Sequence, residues 1–230
     1  LKRDVEDGFM VAVTGSKFLA GPPFAGALLI PQALAENLSA PGRLPIGLGA
    51  YCAGQDWPQA MRKRLVFPFG QEANVGLGLR WIAALEHLDG LSKVDPATQA
   101  SIRQGIVSLM RSRVGAADRL FLHDDDEGEH IVTSAILPFS IGHRDGRPMV
   151  FEEAQAVQMA LRQGTDGPVC HVGQAVKLGA RAVLRLSVSA PDVVGAARLM
   201  QAGEGLEMAL APVARRLDVV FDQLAKVLGR

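Results

Sequence analysis

The chain has 230 residues, 24 basic and 24 acidic side chains, and twelve aromatic residues. That length can bury one large core or two small ones, while zero net charge and few stacking rings argue against a nucleic-acid module. No apolar run reaches the roughly 18 residues of a membrane span, and two cysteines, Cys52 and Cys170, suit a reducing, cytoplasmic compartment rather than a disulfide scaffold.

Gly8–Thr14 reads as a short buried strand, and Ala25–Ile30 as a second one stopped by Pro31. Between them runs Gly15-Ser16-Lys17-Phe18-Leu19-Ala20-Gly21-Pro22-Pro23-Phe24, a loop stiffened by glycine and proline. A short helix is expected over 31–40. Pro41–Pro58, with Tyr51, Cys52, Asp56 and Trp57, reads as a long loop. Val75–Leu88 is apolar almost all round and predicts a buried helix, with Gly76 and Gly78 allowing close helix packing.

Asp95 is a good N-cap with Pro96 behind it, so a helix should run from there to about Val114. Ile102, Ile106, Leu109, Met110 and Val114 share one face of it, and its length suits a connector between two lobes. The last third alternates: strands at Arg119–His123 and His130–Leu137 around an acidic turn, a helix at 152–162, a strand at 182–188, and helices at 192–201 and 206–228. In the last helix Leu206, Leu210, Val213, Leu217, Val220, Leu224 and Val227 keep the helical period. The fold class expected is α/β, with domains at 1–94 and 95–230.

Glycine is the compositional excess, 25 of 230 residues, against a usual share of about 7%. Gly15, Gly21 and Gly26 surround Lys17, which stands at the end of a strand between Thr14 and Ser16. Small residues let backbone approach a bulky ligand, and hydroxyls donate to phosphate oxygens. A lysine in a partly desolvated site loses its proton more easily, as an imine-forming amine must. These features propose a Schiff-base lysine beside a phosphate-bearing aldehyde; the plain alternative is a surface-loop lysine.

Thr14-Gly15-Ser16-Lys17, with Gly21-Pro22 and Gly26 behind it, resembles the cofactor-lysine segment of pyridoxal-phosphate enzymes of fold type I. The similarity is to the class V aminotransferase branch, which includes cysteine desulfurases and kynureninases. The resemblance implies that Lys17 carries pyridoxal 5'-phosphate and that Thr14, Ser16 and Gly21 belong to its binding site. It extends downstream. Val172-Gly173-Gln174 leads into the strand holding Arg185 and Ser187, where the branch has a Gln-containing loop and an arginine for the substrate carboxylate. Arg185 takes that role by resemblance, and a solvent-facing strand arginine is the alternative.

Departures narrow the match. Phe69-Gly70-Gln71-Glu72-Ala73-Asn74 has Gln71-Glu72 where the branch often has a Gly-Thr pair for the partner subunit's phosphate, and Asn74 reads equally well as a helix N-cap. Desulfurases place a cysteine where this chain has Val172; Cys170 lies two residues away and reads rather as a buried thiol. The acid that pairs with the cofactor ring precedes the lysine in this fold, and Asp4, Glu6 and Asp7 sit too close to Lys17 to be it. The motif order therefore leads us to expect that Leu1 is a cut in mid-domain and that the chain is the C-terminal part of a large cofactor domain plus a small α/β domain.

Other signals are weaker. His123–His130 is an acidic run around Gly128 and reads as a solvated turn, so no metal site is expected. Gly47-Leu48-Gly49 lacks a dinucleotide-binding context, and Arg62-Lys63-Arg64 is too short for nucleic acid. Tyr51 and Trp57 either line the mouth of a site or anchor the long loop. The expectation is thus a cytoplasmic, homodimeric pyridoxal-phosphate enzyme, an aminotransferase or lyase acting on an amino acid or amine. The alternatives are a non-catalytic homologue with a structural, dimerisation or regulatory role, and a cysteine desulfurase.

Overall fold

In the computed structural model, structure is described for residues 1–38, 42–43, 45–63, 65–66, 72–123, 135–165, 167–179 and 181–229. The chain is mixed α/β and divides into two compact units, Leu1–Asp89 and Gly90–Arg230. The expected turn at 124–130 and the residues at 69–71 lie outside the described residues.

The first unit begins with α1 (Lys2–Glu6), then β1 (Val11–Thr14) and β2 (Gly26–Leu29). These strands pair antiparallel, with Val11 opposite Leu29 and Thr14 opposite Gly26. Both strands are shorter than their apolar runs suggest, and neither is buried: β1 alternates half-buried with exposed residues, and all four residues of β2 are exposed. After α2 (Gln32–Leu38) the chain makes a two-residue parallel pair, β3 (Gly42–Arg43) with β4 (Leu65–Val66), enclosing two 3-10 turns and α3 (Gln59–Arg62). The long loop is therefore locally ordered.

Helix α4 (Val75–Ser92) starts where Asn74 Oδ1 accepts the Leu77 N–H at 3.0 Å, so Asn74 is its N-cap. The expectation of burial fails. Ala84 is the one buried residue along α4, while Val75, Leu79, Ile82, Leu85 and Leu88 are all exposed. Nor do Gly76 and Gly78 serve helix packing. A Cβ at Gly78 would meet nothing within 4 Å, and one at Gly76 would press mainly on the flexible end of Arg80. Apolar residues all round a helix record composition, whereas burial needs a partner on each face.

The second unit is built around a four-stranded sheet in the order β5 (Leu120–Leu122), β6 (Ile136–Ile141), β8 (Arg181–Ser187), β7 (Gly173–Leu178), antiparallel throughout. Helix α5 (Pro96–Gly115) opens on Asp95, whose Oδ1 accepts the Thr98 N–H at 2.9 Å. Its Ile102, Ile106, Met110 and Val114 are buried as their spacing requires. The helix lies wholly within this unit and contributes to its core. It packs on α8 (Leu206–Gly229), on α7 (Ala190–Gln201) and on β5 and β6. Helix α6 (Phe151–Gln163) covers β7 and β8. From the sheet, Leu137, Phe139, Ile141, Leu184 and Leu186 complete the core.

Strand β6 runs on to Ile141, past the expected end at Leu137. Pro138 pairs with Arg185 on one side, while the pairing with β5 ends at Leu122–Phe139. On that flank position 138 is an edge among the described residues, which is where a strand tolerates proline.

The entry to α6 is electrostatic. Glu153 Oε2 accepts the Val150 N–H at 2.9 Å and pairs with His143 Nε2 at 2.9 Å. The Val150 bond first, and His143 second, hold the Glu153 carboxyl below its ordinary range. A folded pKa below the unfolded one means that this contribution is fully present above the unfolded value of about 4.3 and is lost as pH falls through the folded value. Thermal melts should therefore show a Glu153→Gln chain losing less stability than the parent between pH 5 and strongly acid solution. Parallel losses would contradict the assignment.

Candidate functional site

The lysine loop closes on its own backbone before any ligand is considered. Gly15 N–H donates to Ala25 O at 2.7 Å, Gly21 N–H to Gly15 O at 2.8 Å, and Ala20 N–H to Lys17 O at 2.8 Å. Ala20 and Phe24 take left-handed backbone, with φ of 51° and 68°. A bulky residue there is strained, and Phe24 gains little in return because it is 86% exposed.

Helix α4 seats this loop. A Cβ at Gly15 would lie 2.6 Å from Ala84 Cβ, and one at Gly21 would lie 2.8 Å from the same atom and 2.9 Å from Gly15 O. Ala84 and Ala25 are both fully buried, and Trp81 Nε1–H donates to Gly26 O at 3.3 Å. Gly15 and Gly21 are thus glycines because a helix approaches them. Gly26 is unconstrained, with nothing within 4 Å of its would-be Cβ.

At the tip, Thr14 Oγ1 and Ser16 Oγ share a hydrogen bond of 2.9 Å, and Ser16 N–H reaches Thr14 Oγ1 at 3.3 Å. Lys17 is exposed rather than partly desolvated, and it has no ion-pair partner among the described residues. Thr14, Ser16, Lys17 and Gly21 therefore stand together on one loop. The loop offers a primary amine to an electrophile, and the two hydroxyls that precede it in sequence can donate to an anion.

Arg185 stands in the second unit, on β8, opposite Pro138 of β6 and Gly173 of β7. The segment with Gln174, expected as a loop, is strand β7. Its Gly-Gln-Ala-Val-Lys-Leu sequence hides the strand, because Gln174 and Lys177 lie three apart and break any apolar alternation. Gly173 is where Arg185 comes closest: a Cβ there would sit 2.9 Å from Arg185 Cβ and 3.0 Å from Arg185 O. Arg185 Nε is buried, with no hydrogen-bond partner among the described residues. Its side chain lines a cavity of about 290 Å³, shared with His171, Ser187, Asp192, Arg216, Met110 and Leu217. A buried donor without an acceptor is costly, and an anion in this cavity would supply one.

Cys170 is buried, and its Sγ–H donates to Pro168 O at 3.4 Å. Burial pushes its thiol pKa up, the opposite of what a nucleophilic thiolate requires. Among the described residues no group of His, Cys, Asp and Glu is arranged to hold a metal ion, and no helix is long and apolar enough to cross a membrane.

Sequence reasoning missed the residues that position these groups. Trp81 and Ala84 lie three apart on α4 and so share a face, a legible spacing with no sign of its target. Asp192 was legible as the acid of a Ser-x-x-Asp helix start, but not as a neighbour of Arg185. No protein-family model matches this chain, and no curated protein or solved structure is similar enough to it to count as a match.

Proposed function

We propose that this chain is a pyridoxal-phosphate-dependent enzyme of fold type I, of the class V aminotransferase kind, acting on an amino acid or amine. The observation that carries the reading is the Thr14-Gly15-Ser16-Lys17 segment where β1 ends, with the Thr14 and Ser16 hydroxyls 2.9 Å apart and Lys17 exposed on the loop that follows. That donor set fits the cofactor: hydroxyls for its phosphate oxygens and a primary amine for its aldehyde. Resemblance of the Thr14–Gly26 segment to the family's lysine segment supports the same assignment.

When bound, pyridoxal phosphate supplies an electron sink for the pair released at the substrate's Cα. The residues of this chain do the rest. Lys17 would hold the cofactor through its Nζ, and that amine could take or return the proton at the substrate's Cα. Thr14 and Ser16 donate to the phosphate, and Gly21 keeps the loop seated on α4. By the resemblance, Arg185 would receive the substrate carboxylate, which a guanidinium can pair through two parallel hydrogen bonds. A homodimer in the cytoplasm goes with this reading. Desulfuration fits less well, because Cys170 is buried with a raised pKa.

The test is the visible absorbance of the chain with added pyridoxal phosphate, compared with pyridoxal. The parent should develop a band with the phosphorylated form at lower concentration. Thr14→Val with Ser16→Ala should erase at least roughly tenfold of that preference, since a hydrogen bond to a charged group contributes about 1.5–3 kcal/mol. Lys17→Ala should abolish the band. An undiminished band in Lys17→Ala would overturn the reading.

A further inference from the structure

Arg185 shares its cavity with a second guanidinium, and the two are not equivalent. Arg216 Nη2 donates to Asp192 Oδ1. The other carboxylate oxygen of Asp192 accepts from Ser189 Oγ–H at 2.6 Å and from Ser189 N–H at 3.3 Å. Asp192 occupies the third position of α7 and its side chain is 19% exposed. Three hydrogen bonds and the start of a helix therefore hold it in place. Arg185 has no acidic partner among the described residues. Two guanidiniums and one carboxylate leave the cavity one positive charge in excess, and that charge sits on Arg185. Its remaining walls carry Met110, Val213 and Leu217 together with two polar side chains, His171 and Ser187, so no other guanidinium and no other carboxylate lines it among the described residues.

We propose that Asp192 is the specificity-determining residue of this pocket: by neutralising Arg216 it leaves one guanidinium free, so the pocket accepts a substrate with a single carboxylate and rejects dianions. The proposal rests on Arg185 being the anion-binding residue. A monocarboxylate brings the cavity to neutrality. An α,ω-dicarboxylate or a phosphorylated amino acid would place its second charge near the Asp192 carboxylate, with the only other guanidinium of the cavity already engaged. Asp192→Asn keeps the shape of the side chain and an oxygen for Ser189, and frees Arg216 to meet the second charge.

The experiment is a binding titration of the full chain with propionate and with succinate, followed by NMR shifts of β8 and α7 amides. The parent should bind propionate in preference to succinate. Asp192→Asn should gain about tenfold for succinate and keep its propionate affinity within about threefold. Arg185→Gln should lose both anions. Arg216→Gln, which leaves Asp192 unopposed, should weaken both, and the Asp192→Asn/Arg216→Gln double variant should recover parental propionate binding, since the neutral pair has been removed whole. That double variant also guards against a single change that merely loosens the start of α7. An unchanged propionate-to-succinate ratio in Asp192→Asn, with binding still lost in Arg185→Gln, would overturn the role of Asp192 alone. Failure of the parent to bind either anion would overturn the reading of Arg185 and this proposal with it.

Discussion

A Gly15→Val chain is expected to lose about 3 kcal/mol of stability in the first unit, and with it the ordered lysine loop. Even a bare Cβ at Gly15 would stand 2.6 Å from Ala84 Cβ and 3.2 Å from Ala25 Cβ. Both neighbours are short and fully buried, so neither can swing aside. The branched side chain must push the loop off α4, and overpacking of this kind costs about 1–3 kcal/mol, more when backbone has to move. Gly26, eleven residues on and equally close to the proposed cofactor segment, should behave in the opposite way. Its Cβ would meet nothing, and it lies in a strand, so Gly26→Ala should stabilise by a few tenths to about 1 kcal/mol. Amide hydrogen exchange at Val11–Thr14 and Gly26–Leu29 reads both effects locally, which suits a chain of two compact units. Equal losses in the two variants would contradict the account of why the loop is rich in glycine.

Phe139→Ala should cost about 3–5 kcal/mol in the second unit, against a typical whole-domain stability of about 5–15 kcal/mol. Phe139 is 1% exposed and sits in mid-sheet, paired with Leu122 on one side and Leu184 on the other. Helix α5, helix α8 and strand β8 all contribute to the core it fills, so the cavity cannot close by moving one side chain. Phe24 is the contrast. Largely exposed and held at φ 68°, it buries little and carries backbone strain. Phe24→Gly should stay within about 1 kcal/mol of the parent, relief of strain offsetting the added freedom of the unfolded chain. Denaturant unfolding of both variants measures the difference. A similar cost for the two phenylalanines would mean that the burial seen at Phe139 does not govern stability.

Some of this architecture is legible in the sequence, for physical reasons that differ from element to element. Asp95-Pro96 followed by Ile102, Ile106, Met110 and Val114 states a helix start and a buried face in local terms, and the structure has both. Helix α4 does not work this way, because its apolar residues face outward and only Ala84 is buried. Strand β6 was cut short at Pro138, whose tolerance depends on where the neighbouring strand ends, a fact of topology rather than of sequence. Strand β7 carries too little apolar alternation to announce itself, and its register with β8 is irregular between Gly173 and Val176.

The site divides along the same line. Lys17, Thr14 and Ser16 are neighbours in sequence, so their proximity was legible. The glycines around them did signal a close approach, but the partner proved to be Ala84, some sixty residues away, and nothing local identifies it. Arg185 came from resemblance, while the Asp192–Arg216 pair beside it joins two helices and needs the folded chain to be seen.

The central claim, that Lys17 is the residue which bonds the cofactor, is tested most directly by mapping where pyridoxal phosphate attaches. The full chain is treated with sub-stoichiometric cofactor, reduced with borohydride, digested and examined by mass spectrometry, with Lys177 and Lys226 as internal controls for the reactivity of any surface amine. The reduced adduct should concentrate on the peptide carrying Lys17. An adduct spread over Lys17, Lys177 and Lys226 in proportion to their exposure would contradict it.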